Sequence, residues 1–206
     1  MEIIKAVFFD YDGVMTVEKS GSESVCNYIS KNMCIDYNIL YHEYRKYNIE
    51  LSLGKITHKE IWKQLCKNIN LDIPISVLYD SFTNTPIDEK MHEFVLKIKN
   101  QKIKTGLITD NKVDRVEYIN KKFDLNKYFD IIAVSAELGC TKETDKLFVK
   151  SLERTGIKPE ESIFIDNQAQ NLVIPKSIGM KTIYYNDRER NMIELEKAIR
   201  NYGVNV

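Results

Sequence analysis

The stretch Lys5–Thr16, KAVFFDYDGVMT, constrains the chain most. Ala6–Phe9 is a short apolar run of strand-forming residues with no polar alternation. That pattern predicts a strand buried on both faces, as in a parallel sheet covered by helices. The run stops abruptly at Asp10, Tyr11, Asp12 and Gly13. Two carboxylates at i and i+2, followed by a glycine that lets the chain turn sharply, then stand where parallel strands present ligands, at their carboxyl ends. Like charges held that close need a cation or a lysine to offset them.

No second strand pattern appears before Thr85. Val25, Tyr28, Ile29 and Met33 recur at helical spacing, as do Leu40, Tyr44, Tyr47 and Leu51. Val14–Ser24 reads as a polar connection and Gly54 as a break. Thr57 and Glu60 form a capping-box signature ahead of Ile61, Trp62, Leu65, Cys66 and Ile69. Val77–Phe82 is one more short helix. A helical block of about 65 residues is too long for a simple connection between two strands and reads as an inserted subdomain. After it the pattern alternates. Strands are expected at Lys102–Ile108, Asp130–Val134, Ser162–Ile165 and Lys181–Tyr185, with helices between them and a closing helix at Met192–Asn201. The expected fold class is α/β, a Rossmann-like parallel sheet of at least five strands flanked by helices. The division is a core domain of residues 1–15 and 86–206 and a helical cap domain of residues 16–85.

Lys plus Arg and Asp plus Glu each number 30, so the formal charge is zero and offers no electrostatic case for nucleic acid or an anionic membrane. Cys26, Cys34, Cys66 and Cys140 lack Cys-x-x-Cys or zinc-ligand spacing and read as reduced thiols. No stretch approaches a membrane span of roughly 20 apolar residues, and the N-terminus lacks a signal-peptide pattern. The expected location is the cytoplasm.

Four strands end on, or lead into, polar residues of one chemical theme. The first gives Asp10 and Asp12, the second Thr109 and Asp110. The loop after the third gives Lys142, and the fourth gives Asp166 and Asn167. Singly these are ordinary turn and capping residues. Together they place carboxylates, a hydroxyl and an ammonium at one sheet edge, which turn chemistry does not explain.

In order, these segments resemble the motifs of the haloacid dehalogenase-like (HAD) hydrolase superfamily. FFDYDGVMT resembles its first motif, Asp-x-Asp-Gly-x-x-Thr, and LITDN its second. Lys142 in ELGCTK resembles the third, and IFIDNQAQNL the acidic fourth. The insertion and YFDIIAVSAELGCTK are similar to the branch with a helical cap after the first strand. The resemblance implies a Mg²⁺-dependent phosphatase acting on a small phosphorylated metabolite through an aspartyl-phosphate. Asp10 is then the nucleophile and Asp12 the general acid and base. Thr109, Asp110 and Lys142 bind phosphate. Asp10, the Asp12 carbonyl and Asp166 or Asn167 hold Mg²⁺, a hard cation suited to oxygen ligands.

Three departures stand out. Asn167 replaces the second acid of the fourth motif, which commonly binds the metal. Asp110 stands where Asn is frequent, and Glu143 follows the lysine where Pro is common. Alternatives are a phosphomutase, a 2-haloacid dehalogenase, against which Asp12 argues, and a catalytically weakened HAD-fold binding protein. Trp62, His58 and the tyrosines near Tyr41–Tyr47 are expected to serve packing, and Val14–Ser22 to act as a hinge. Monomer and homodimer remain equally compatible with the sequence.

Overall fold

The computed structural model describes residues 3–206; residues 1 and 2 of the expected core segment lie outside the described residues. Five strands, β1 (Ala6–Phe9), β2 (Lys104–Thr109), β3 (Ile131–Val134), β4 (Ser162–Asp166) and β5 (Lys181–Tyr184), form one sheet in the order β3-β2-β1-β4-β5. All pairings are parallel. The apolar run Ala6–Phe9 occupies the centre and is buried throughout, as a strand without polar alternation must be. Its alternate residues serve opposite layers. Val7 and Phe9 pack with Phe94, Ile98, Ile119 and Ile199. Ala6 and Phe8 pack with Leu147, Phe148 and Leu152 on the other face.

After β1, and before the core helix that leads into β2, the chain leaves the sheet as five helices: α1 (Gly21–Met33), α2 (Tyr37–Arg45), α3 (Asn48–Ser52), α4 (His58–Asn68) and α5 (Ile75–Thr83). They bury a hydrophobic cluster of their own, including Val25, Ile29, Leu65, Leu78 and Phe82. Each such fully buried side chain contributes roughly 1.5–3 kcal/mol. The capping box at Thr57 and Glu60 starts α4 as expected. The two connections to the sheet run side by side: Thr16 bridges Ile87, and the Val17 and Asp88 amides bond Pro86 and Met15 carbonyls. The core helices are α6 (Glu89–Asn100), α7 (Val113–Phe123), α8 (Leu125–Tyr128), α9 (Ser135–Leu138), α10 (Asp145–Thr155), α11 (Val173–Ser177) and α12 (Met192–Arg200).

Local differences from the expected elements have local causes. Gly21–Ser24 belong to α1, because the Ser20 side chain accepts from the Glu23 amide and caps the helix earlier. Leu40–Leu51 divides into α2 and α3 around Lys46 and Tyr47. β2 starts at Lys104, since Lys102 takes a positive φ of 63° in the turn after α6. Pro175 falls in the first turn of α11, where its missing N–H has no helical acceptor to serve. All four cysteines are free, and only Cys34 is exposed. Among the described residues no helix is long and apolar enough to cross a membrane.

Candidate functional site

The site grows from the carboxyl end of β1. Register places Phe9 opposite Leu107 and Ile165, so the next residue, Asp10, stands beside the end of β4. Its amide bonds the Ile165 carbonyl at 2.9 Å. The chain then turns through Tyr11–Met15, and Asp10 Oδ1 accepts the Tyr11 amide at 2.7 Å. Gly13 is required there. Its φ is +81°, and a Cβ would meet Asn167 Nδ2 at 2.1 Å.

One ammonium joins the central strands. Lys142 Nζ lies 2.7 Å from Asp10 Oδ1 and 2.8 Å from Asp166 Oδ2, with all three side chains almost fully buried. Burial raises the Asp10 carboxyl to about 8; the Lys142 ammonium opposes that rise and the Asp166 charge adds to it. Burial works against the Lys142 charge, but Asp10, Asp166 and Asp110 outweigh it and hold the ammonium above its ordinary range. Asp166 is fully occupied: Oδ1 accepts from the Gln168 amide, and Asn171 Nδ2 reaches both oxygens.

Asp12 is held differently. Arg115, on the first turn of α7, grips both its oxygens at 2.7 and 2.8 Å, and Asn111 Nδ2 adds a bond at 3.1 Å. Burial opposes the Arg115 charge, yet Asp12 holds the guanidinium above its ordinary value. Gly21 makes room for this pair, since a Cβ there would meet Arg115 Nη1 at 2.3 Å.

Thr109, at the end of β2, is buried beside the same edge. Asp110 Oδ1 accepts the Lys142 amide at 3.0 Å and so ties the β2 end to the Lys142 loop. Burial raises its carboxyl above the usual range, with Lys142 opposing. Asp10, Asp12, Thr109, Asp110 and Lys142 all line one cavity of about 870 Å³ between the sheet edge and the helical insertion. A volume of that order suits a small-molecule site. The sequence-predicted residues are thus brought together, with Asp166 and Asn167 directly behind them.

The donors for a cation can be compared. Among the described residues no three His, Cys, Asp or Glu side chains converge to hold a metal, because Asp12 is turned to Arg115 and Asp166 to Lys142. Asn167 Oδ1, by contrast, is buried without a hydrogen-bond partner, while its Nδ2 donates to the Lys19 carbonyl and Asp187. A buried acceptor left unpaired is costly. Once Asp10 is ionised, it and Asp166 together carry one more charge than Lys142 neutralises, and the raised Asp10 carboxyl reflects that crowding. An oxygen-seeking cation at Asp10 and Asn167 fits both observations.

Sequence reasoning missed Arg115, Asn111, Lys112 and Asn171. Arg115 carried a signal: it lies four residues before Ile119, on the buried side of α7 with Val116.

The haloacid dehalogenase-like hydrolase family matches residues 7–185. Glyceraldehyde 3-phosphate phosphatase of Pyrococcus furiosus is 25% identical, over 95% of this chain and 86% of that one. D-ribitol-5-phosphate phosphatase of Bacteroides thetaiotaomicron is 23% identical, over 87% and 91%. In fold, a HAD-family enzyme of Bacteroides thetaiotaomicron solved with magnesium and inorganic phosphate superposes with a TM-score of 0.71 at 18% identity, covering 89% of this chain and 95% of that one. With a matching family across most of its length and that fold, the chain belongs to the haloacid dehalogenase-like hydrolases.

Proposed function

We propose that this hydrolase is a Mg²⁺-dependent phosphatase that releases phosphate from a small phosphorylated molecule through an aspartyl-phosphate on Asp10. The observation that carries the reading is the Lys142 bridge between Asp10, which lines the cavity with Thr109, and Asp166 behind it. The named phosphatases among its relatives support it.

Asp10 Oδ1 is fixed by Lys142 and the Tyr11 amide. Oδ2 accepts no hydrogen bond from the described residues and is the atom to attack phosphorus, with the ester oxygen leaving. Thr109 hydroxyl and Lys142 ammonium receive phosphoryl oxygens. Asp12, entering the cycle as the carboxylic acid, passes its proton to the leaving oxygen, and the carboxylate so formed later takes one from the attacking water, which restores the acid. To do so, one Asp12 oxygen must let go of Arg115. Asp10, the Asp12 carbonyl and Asn167 Oδ1 would hold Mg²⁺, with Asp166 contributing charge from behind. The bound cation would offset charge on the transferring group. Asp110 serves the site by fixing the Lys142 loop. The helical insertion acts as the cap, excluding bulk water and selecting the substrate.

The test is phosphate release from a panel of aryl and alkyl phosphates, with Mg²⁺ and with a chelator. Mg²⁺-dependent turnover is expected, together with a phosphoenzyme that Asp10→Asn lacks. Folded protein that hydrolyses no member of a broad panel would overturn the reading.

A further inference from the structure

Lys112 is out of place by every local rule. It occupies the N-cap position of α7, where Ser, Thr, Asp or Asn is favoured, and its side chain caps nothing. An ammonium there also meets the positive end of the helix dipole. It is only 6% exposed, and among the described residues no carboxylate lies within 4.0 Å of it. Among the described residues its one hydrogen-bond partner is neutral: Nζ donates to Asn48 Oδ1 of the helical insertion at 2.7 Å, leaving two N–H donors unused there. Ser22 Oγ donates to the same oxygen. Arg45, on α2, lines the same cavity and is close enough to repel Lys112.

A buried charge without a counterion is expensive. The charges of Asp12 and Asp110 reach it from a distance and offset part of that cost, against Arg115 and Arg45, but each cavity acid is engaged by a nearer group. Asp10 faces Lys142, Asp12 faces Arg115, and Asp110 takes the Lys142 amide. Glu143 sits exposed at the rim. The first-loop carboxylates therefore have their own cations, while Lys112 and Arg45 form a separate region of positive potential toward the insertion. A bound anion removes the cost, and a ligand reaching from Asp10 toward Asn48 would deliver one.

We propose that Lys112 and Arg45 form a second anion subsite, so that the preferred substrate is a phosphomonoester whose far end carries a carboxylate or a second phosphate. The phosphomonoester half of this statement rests on the phosphatase reading; the subsite itself does not.

The experiment has two arms. In the first, Mg²⁺-loaded wild-type protein is titrated calorimetrically with phosphonoacetate, a propylene bisphosphonate and the neutral-ended phosphonoacetamide. One or both charged-ended probes should bind at least about tenfold tighter than the amide, the scale of a charge-assisted hydrogen bond. Which one does so separates carboxylate from phosphate. Lys112→Met should bring the ratio close to one, Lys112→Arg should restore part of it, and Arg45→Ala should lower it less. In the second arm, kcat/KM is compared for short alkyl phosphates ending in a carboxylate, a phosphate or a hydroxyl, with the preference expected mainly in KM. Equal binding of charged and neutral probes by wild type would overturn the subsite, as would a preference that survives Lys112→Met. If no ester is hydrolysed yet the probe ratio holds, the phosphatase reading fails and the subsite stands. Phosphatase activity with no probe preference gives the reverse. Should Lys112→Met not fold, the wild-type probe ratio still decides.

Discussion

Asp10 and Asp12 share one turn, and each meets a buried cation, but on different terms. Asp10 shares Lys142 with Asp166, so two carboxylates divide one ammonium. Asp12 has the whole Arg115 fork, a bidentate and nearly neutral pair. The Asp10 side is left with a free oxygen and, once Asp10 is ionised, with surplus negative charge, while the unpaired Asn167 acceptor belongs to a side chain packed against Gly13 of the same turn. The Asp12 side is electrostatically closed. The first arrangement suits an atom that must bond to phosphorus and help hold a cation. The second suits a carboxylate that has to be fixed in place and released when a proton moves.

The sharpest break in that contrast is at Asp10. On the proposed mechanism, Asp10→Asn should lower kcat/KM by about a thousandfold or more, since the covalent route would lose its nucleophile. Asp12→Asn should cost less, about a hundredfold, in line with general acid catalysis. Its loss should be larger for alkyl than for aryl phosphates, whose better leaving groups need less protonation. Equal losses on both substrate types would erase the distinction between the two carboxylates.

Next in size is the Arg115 pair. Arg115→Met leaves Asp12 buried without its cation and should destabilise the fold by about 3–5 kcal/mol in denaturant melts. Adding Asp12→Asn to that variant should recover part of the loss, because the orphaned charge is then gone. A strictly additive double variant would mean that the two side chains do not depend on each other.

The Asp10 side was legible in the sequence for a physical reason. The apolar run Ala6–Phe9 fixes a central strand, parallel register brings the strand ends level, and Asp10 and Asp166 follow one residue beyond Phe9 and Ile165. Thr109 follows from the same register. The Asp12 side was not legible. Lys112 precedes the amphipathic helix α7 and Arg115 lies in its first turn; the spacing of Arg115 to Ile119 hints at the buried side, but a charged residue there is ordinarily read as solvated and nothing local names Asp12 as its partner. What buries them is the helical insertion, which sits above α7 with Asn48 against Lys112 and His58 against Asp114. Contacts across some 50 or more residues of sequence, unlike strand register, leave no local pattern to read. His58 shows the same limit: its expected packing role is met, with Tyr44 and Phe82 against its ring, but its bond to the core was not foreseeable.

A smaller effect sharpens the cation side of the contrast. Asn167→Asp adds a carboxylate to Asp10's neighbourhood and should tighten apparent Mg²⁺ binding by about tenfold, because ligand charge count tunes affinity for hard cations. Without metal the same change should lower the melting temperature, since the new carboxylate faces Asp187, which now accepts from Asn167 Nδ2. A larger Mg²⁺-induced rise in melting temperature than in wild type is the expected readout. No change in that rise would place the cation away from Asn167.

The smallest effect concerns the clamp beside Arg115. His58 of α4 is fully buried, with Nε2 2.7 Å from the Tyr44 hydroxyl and Nδ1 2.8 Å from Asp114 Oδ2 on α7. Asp114 Oδ1 also accepts the Arg115 amide, so the insertion is tied to the residue next to the one that grips Asp12. Burial lowers the imidazole below its ordinary 6.5; Asp114 opposes that, while Lys112 and Arg115 add to the lowering. A histidine with a depressed folded value binds its proton more readily unfolded. Stability is therefore complete above about pH 6.5 and falls as the pH drops toward the folded value. The difference between wild type and His58→Gln, melted from about pH 7.5 to about pH 5.5, cancels the other titrating groups. It should shrink in wild type's disfavour as the solution is acidified. A difference that stays constant or widens would mean that His58 enters the fold already protonated, with Asp114 as its counterion. The insertion would then be held to α7 by an ion pair much like the one that holds Asp12.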